Sequence, residues 1–134
     1  LEFSPSVRNN RLDQIETFIG SSPMLRILSG ALPAAASTAD SGTLLAEMQL
    51  PSDWLAAAAA GAKAKSGTWQ DASACATGTA GYFRIYNPTA ASCWIQGNVG
   101  GTGSGSAMEL DNTSIATGQS VTVSTFSLTD GNAD

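Results

Sequence analysis

Histidine is missing from all 134 residues. That absence removes the commonest general base, the Ser-His and Cys-His nucleophile pairs, and the best nitrogen ligand for a transition metal. Charge is scarce as well: Asp, Glu, Lys and Arg make up 13% of the chain, about half of the roughly 25% usual in soluble domains. The six cations, Arg8, Arg11, Arg26, Lys63, Lys65 and Arg84, stand apart, and the net charge is −5. A phosphate backbone needs a basic face, so nucleic acid is not an expected partner. No run approaches the roughly 18 apolar residues of a membrane span. The opening "LEFSPSVRNNRLDQ" is polar, with its two acids balanced by two arginines, where a signal peptide is basic and then apolar, so neither a membrane nor export by that route is expected. Two cysteines, Cys75 and Cys93, are too few for a disulfide framework or a thiolate metal site and are expected as reduced, small apolar side chains.

What is present is apolar residue in quantity, 43% of the chain, enough for one core in a domain of this length. With so little charge, the exterior falls to Ser, Thr, Asn, Gln, Gly and Ala, a surface suited to being covered by partners. Ser4-Pro5 has the form of an N-cap followed by proline at the first helical position. Val7, Leu12, Ile15, Phe18 and Ile19 then form one apolar stripe, and Gly20 and Pro23 end it. Residues 5–19 are therefore expected to be an amphipathic helix within an N-terminal arm, 1–22, packed on its own domain or docked on a neighbouring subunit.

From residue 24 the period falls to two. "MLRILSG" alternates Leu25 and Ile27 against Met24, Arg26 and Leu28; "TLLAEMQL" sets Leu44, Ala46, Met48 and Leu50 on one face and Leu45, Glu47 and Gln49 on the other, both as half-buried strands. "PSDWLAAAAAGAKAKSG" breaks the pattern, and its five alanines predict a short helix from Ser52 or Asp53 through Ala60, with Trp54 as its anchor and Gly61 as its cap. "GYFRIYN" places Phe83 and Ile85 on one side and Tyr82, Arg84 and Tyr86 on the other. After the turn at "PTAA", "SCWIQGNV" runs back as the second arm of a hairpin, with Trp94 and Gln96 on the non-core parity. Met108 and Leu110 are expected to point inward. Val121 and Val123 change phase with Phe126 and Leu128, the sign of a β-bulge near Ser124-Thr125 or of a strand bending from one sheet to the other. The fold class expected over 23–134 is mainly β: an antiparallel, jelly-roll-like sandwich with the N-terminal helix and the short Ala-rich helix.

Chemistry is hard to place on this frame. The carboxylates are dispersed, and Glu109 and Asp111, alternating with inward residues, belong on a solvated strand face. "ELDNTSIATGQ" lacks the spacing of a calcium loop. "GNVGGTGSGS" has no lysine and precedes a strand rather than a helix, so it is neither a phosphate loop nor a dinucleotide fingerprint but a flexible inter-strand loop. No catalytic, cofactor or metal residue is expected. The aromatic group Tyr82, Tyr86 and Trp94, with Arg84 among the rings, is the remaining candidate: a sugar-stacking platform, an interface anchor, or a face covered by one of the helices.

The blocks "RNNRLDQIETFIG", "LRILSGALPA", "LPSDWLAAA", "GTWQDASA", "GTAGYFRIY", "MELDNTSIATGQSVTV" and "LTDGNA" resemble, in that order, a family of small virion proteins of tailed bacteriophages. The resemblance implies a capsid decoration, or cement, protein: a homo-oligomer, dimeric or trimeric, made in the host cytoplasm and bound to the capsid exterior across major capsid protein subunits. A head-fibre or tail protein is the alternative within that family, and a carbohydrate-binding module the alternative outside it. For the cement reading, the expected contact residues are Arg8, Arg11, Leu12, Ile15 and Phe18 on the helix, and Tyr82, Arg84, Tyr86 and Trp94 on the strands.

Overall fold

Ser4 is extended, with φ −62° and ψ 155°, and its hydroxyl accepts a hydrogen bond from the Val7 N–H at 3.4 Å. Helix α1 (Pro5–Ile19) therefore starts as the sequence leads one to expect, and it ends at Gly20, whose φ of +93° favours glycine. The computed structural model describes residues 1–131, so the last three positions of the expected domain lie outside the described residues. Of the apolar stripe on α1, Leu12 and Ile19 are buried, while Val7, Ile15 and Phe18 stay exposed.

Nine strands follow: β1 (Met24–Ser29), β2 (Leu44–Gln49), β3 (Ala62–Ala64), β4 (Gln70–Asp71), β5 (Gly78–Tyr86), β6 (Cys93–Gly101), β7 (Met108–Leu110), β8 (Ser114–Ile115) and β9 (Val121–Thr129). They form one curled sheet, a half-barrel in the order β2-β1-β5-β6-β7-β9-β3, with β4 on β9 and β8 on β5. The end of β4 and the chain after it also line β2: Asp71 Oδ2 accepts from the Glu47 N–H at 3.0 Å, and the Cys75 N–H reaches the Leu45 carbonyl at 2.7 Å. The protein is mainly β, as expected, but not wholly antiparallel. Strands β6 and β7 run parallel, Val99 opposite Met108 through Gly101 opposite Leu110. Their connection, residues 102–107, is shorter than the dozen or so residues such a crossover ordinarily takes.

The glycines make that return possible. Gly103 and Gly105 both have positive φ, and a Cβ on Gly100 would collide with the hydroxyls of Ser104 and Ser106. Glu109 closes the loop by accepting hydrogen bonds from the Gly103 and Gly105 N–H groups at 3.1 and 3.0 Å. These two bonds hold its carboxyl below the usual range. Glu109 and Asp111 are thus not merely a solvated strand face, since Asp111 Oδ1 likewise accepts from the Thr122 N–H at 3.1 Å.

The phase change in β9 is a bulge. Glu109 faces Thr125 while Leu110 faces Val123, which leaves Ser124 as the extra residue and lets Val121, Val123 and Phe126 all be buried. A second bulge at Leu45, between the Ile27–Ala46 and Leu28–Leu44 pairs, buries both Leu45 and Ala46. An aromatic chain crosses the core from Trp54 to Trp69 (centroids 6.0 Å), Trp69 to Phe126 (5.4 Å) and Phe126 to Phe83 (5.6 Å). Both buried indoles donate to carbonyls, Trp54 to Gly20 and Trp69 to Ser66, each at 3.1 Å.

The Ala-rich helix does not form. Ala60 (φ +51°) and Gly61 (φ +77°) are both left-handed, and Ala59 and Ala62 exchange both backbone hydrogen bonds at 2.9 Å. That is a two-residue hairpin turn of the mirror-image type I. The outgoing arm, β3, pairs with β9, and Leu55 bridges to Lys65. Alanine's helix propensity amounts to a few tenths of a kcal/mol per residue over most alternatives, and one short helix is marginal alone. Burial of Trp54 and Leu55 and the ladder to β9 outweigh it. Gly61 is further favoured because a Cβ there would come within 2.9 Å of the Asp130 carbonyl oxygen.

Ala60 holds a conformation that costs a non-glycine residue about 1 kcal/mol. Ala60→Asn, which restores the preferred residue pair of this turn, is expected to raise the stability by about 0.5–1 kcal/mol, read as an increase in the urea midpoint with an unchanged slope. A lower midpoint would show that the turn geometry is not the constraint described.

Candidate interaction surface

Strand β5 is buried on both faces. Phe83 and Ile85 point into the core, as expected; Tyr82, Arg84 and Tyr86, expected as an exposed platform, are 0%, 2% and 6% exposed. What covers them is neither helix but the small-residue loop 33–41. Arg84 Nη1 donates to the Thr38 carbonyl at 2.7 Å and to Asp40 Oδ1 at 2.8 Å, and Nη2 to the Ala35 carbonyl at 3.2 Å and Gln96 Oε1 at 2.9 Å. Gln96 extends the grip to the Pro33 carbonyl, and the Tyr82 hydroxyl donates to the Ser41 carbonyl at 2.6 Å while accepting from its N–H at 3.0 Å. Tyr86 donates to Asp40 in a short hydrogen bond. Burial pushes the Tyr86 hydroxyl upward, and the bond to Asp40 adds to it. Burial alone would lower the Arg84 value, but Tyr86, Cys93 and Asp40 together keep it raised, so the clamp stays charged.

Trp94 is separated from the two tyrosines by a bulge. Ile85 pairs with Ile95 and Tyr86 with Cys93, so Trp94 is the extra residue of β6. Cys93 takes the place beside Tyr86, half-buried, with burial pushing its thiol up; Cys75 is exposed, and both are free thiols. Trp94, 45% exposed, leans on Phe18, itself 69% exposed, with centroids 5.0 Å apart and planes at 75°. Between the end of α1 and strands β6 and β9 lies a mostly apolar groove of about 410 Å³, lined by Ile15, Phe18, Ile19, Trp94, Ile95 and Leu128, with Gln14 as its one polar residue. It gathers Ile15, Phe18 and Trp94, three of the expected contact residues, on one surface.

The other helical candidates face inward or sideways. Leu12 is core, Arg8 donates to the Asp130 carbonyl at 3.2 Å, and Arg11 pairs with the Asp130 carboxylate at 3.1 Å. The helix is fixed by a residue not anticipated from the sequence: Lys63, 3% exposed, pairs with Asp13 at 2.7 Å and Glu16 at 2.8 Å. Burial would lower its ammonium value, but the bonds to the two carboxylates outweigh that and raise it; the bond from Lys63 in turn lowers Asp13. A fixed helix presents Phe18 in one place rather than on a loose arm.

Asp40 was likewise not anticipated, although it is the one acid in "ALPAAASTADSG" and faces a mid-strand arginine in a chain with few of either. Among the described residues no group of three or more Cys, Asp or Glu is arranged to hold a metal ion, and no helix is long and apolar enough to cross a membrane. No protein-family model, curated protein or solved structure matches the chain.

Arg84→Ala removes four hydrogen bonds, leaving the loop held from below only by Tyr82, Tyr86 and Gln96, and strands the Asp40 carboxylate without its cation; the expected cost is about 3–5 kcal/mol, with residues 33–41 becoming open to proteolysis. Unchanged protection of that loop would show the clamp to be incidental. The contribution from Asp13 is present above the ordinary aspartate range and is lost as pH falls through its lowered value. The contribution from Lys63 is present below the ordinary lysine range and is lost as pH rises through its raised one. Hydrogen exchange of α1 is therefore expected to be slowest relative to the sheet at intermediate pH, quickening at both extremes; a flat profile would contradict the docking role of Lys63.

Proposed function

We propose that this protein is a non-enzymatic component of a tailed-bacteriophage virion, bound to the outer surface of the head, where it braces contacts between major capsid protein subunits. The observation that carries the reading is the apolar groove at the end of α1, where Ile15, Phe18 and Trp94 are exposed together on elements fixed to the core. Scattered exposed apolar residues are ordinary; a cluster around two touching aromatics has the make-up of an interface anchor. The surrounding surface is poor in charge, so little desolvation opposes association.

The patch is small beside the roughly 800 Å² per partner of a standard interface. A subunit held by it alone would bind weakly. On a shell the same contact is repeated, and a homo-oligomer, dimer or trimer, would engage several copies at once, so avidity supplies what one contact lacks. The ordered resemblance to small phage virion proteins supports the same reading. So does the lack of histidine, with the catalytic routes that it closes.

The test is to mix purified protein with heads stripped of it, then measure cosedimentation and the temperature at which the shells rupture. Wild type is expected to bind stoichiometrically and to raise that temperature. Phe18→Ser with Trp94→Ser is expected to weaken binding at least tenfold while the protein stays folded. Equal binding by the double variant, or none by wild type, would overturn the proposal.

A further inference from the structure

On the other side of Trp94 from the apolar groove lies a larger and chemically different concavity of about 690 Å³, between loop residues 36–40 and the β5–β6 hairpin. Its volume is within the roughly 300–1,000 Å³ of small-molecule sites. The walls carry Arg26, Asp40, Tyr86, Ser37, Ser92 and the rim residue Trp94. We propose that this cleft binds a neutral oligosaccharide, with Trp94 as the stacking surface and the Arg26–Asp40 pair as the hydroxyl-binding group.

Three observations point to that ligand class. The first is charge. Two guanidiniums, Arg26 and Arg84, face two carboxylates, since Arg26 Nε pairs with Glu47 at 2.6 Å and Arg84 Nη1 with Asp40 at 2.8 Å. Glu47 is bonded to Arg26 without lining the cleft, and with it the cluster is formally neutral, so a phosphate or other anion gains little net attraction there, while an uncharged ligand meets a dense array of donors and acceptors. The second is the state of that array. Arg26 and Asp40 are 26% and 29% exposed along their side chains and held to each other at only 3.4 Å. The Arg26 guanidinium is also propped over the Tyr86 ring, 4.8 Å from its centroid. A planar donor and a planar acceptor, side by side and oriented by their neighbours, match the spacing of adjacent sugar hydroxyls, and little side-chain entropy is left to lose.

The third is Trp94. Trp54 and Trp69 are 0% and 1% exposed, whereas Trp94 is 45% exposed at the rim of a polar cleft. An indole at such a boundary offers its apolar surface to the C–H face of a pyranose while the polar walls take the hydroxyls. An apolar ligand would waste the walls; an anion would waste the neutral charge.

The experiment is calorimetric titration of the whole protein with maltohexaose, cellohexaose, chitohexaose and mannohexaose. At least one is expected to bind saturably at one site per chain. Trp94→Ala is expected to weaken that binding at least tenfold. Ser37→Arg, which fills the cleft mouth from an exposed position that holds no core contact, is expected to do the same and serves if Trp94→Ala fails to fold. Ile15→Ser, on the apolar groove but away from the ring contact that supports Trp94, is expected to leave sugar affinity within twofold, which separates this site from the shell contact. Absence of binding by all four sugars overturns the proposal. So does equal binding by folded Trp94→Ala or Ser37→Arg, and so does displacement of the sugar by sodium phosphate, which would make the cleft an anion site.

Discussion

A guanidinium buried in the middle of a strand organises one whole side of this molecule. Arg84 cannot be left unpaired in a low-dielectric interior, where the penalty for an isolated charge runs to several kcal/mol. Its four bonds reach Ala35, Thr38, Asp40 and Gln96. Because three of those acceptors belong to loop 33–41, satisfying the charge and folding the loop are one event. The loop then seals Tyr82 and Tyr86 from water, and strand β5 acquires a second buried face without a second sheet or a helix above it. The half-barrel needs this cover: on one face of β5 Phe83 and Ile85 join the core, and on the other the small residues of loop 33–41 close over Tyr82, Arg84 and Tyr86.

Local signals were legible wherever the local optimum and the global fold agree. The helix over residues 5–19, with its Ser4 cap and Gly20 stop, is as the sequence led one to expect. So are the β5–β6 hairpin, the inward Met108 and Leu110, and the bulge at Ser124. The alanine run failed because propensity was set against tertiary pairing. Ala60-Gly61 serves as a tight turn, and nothing in five consecutive alanines announces that Ala59 and Ala62 will bond across it. Period-two reasoning on β6 failed for a different reason. One bulge at Trp94 moves every residue before it to the opposite parity, so Cys93 rather than Trp94 stands beside Tyr86. Lys63 and Asp40 were out of reach because their partners lie on other elements, Asp13 and Glu16 on the helix and Arg84 on β5.

The glycine-rich return between β6 and β7 shows how close a structural device comes to a binding one. The N–H groups of Gly103 and Gly105, separated by one residue, converge on one anion, an arrangement close to that from which phosphate cradles are built. Here the anion is the chain's own Glu109. The carboxylate neutralises the nest and ties off a parallel connection that would otherwise be too short to hold its register. The same residue chemistry that would signal a nucleotide site is consumed internally, and the lack of any lysine or arginine after Arg84 is consistent with that use.

The Trp94 bulge has the largest consequence for function. Without it the indole would follow Gln96 onto the face covered by loop 33–41 and be sealed with the tyrosines. The extra residue turns the ring out of the ladder onto the ridge between two concavities, one lined by Phe18, Ile95 and Leu128 and the other by Arg26, Asp40 and Ser92. An aromatic on such a ridge can contribute apolar area to either side at small conformational cost, having only two side-chain torsions to fix. The two sides differ in what they can hold: the groove offers an apolar partner area with almost no polar group to desolvate, and the cleft offers hydroxyls a neutral, pre-oriented set of partners. Both depend on the same irregularity in β6, whose geometry is held in turn by the Arg84–Gln96 bond two residues away. The buried clamp and the exposed ring are therefore linked through the backbone of one strand, and a change that loosened the clamp would blur both surfaces together.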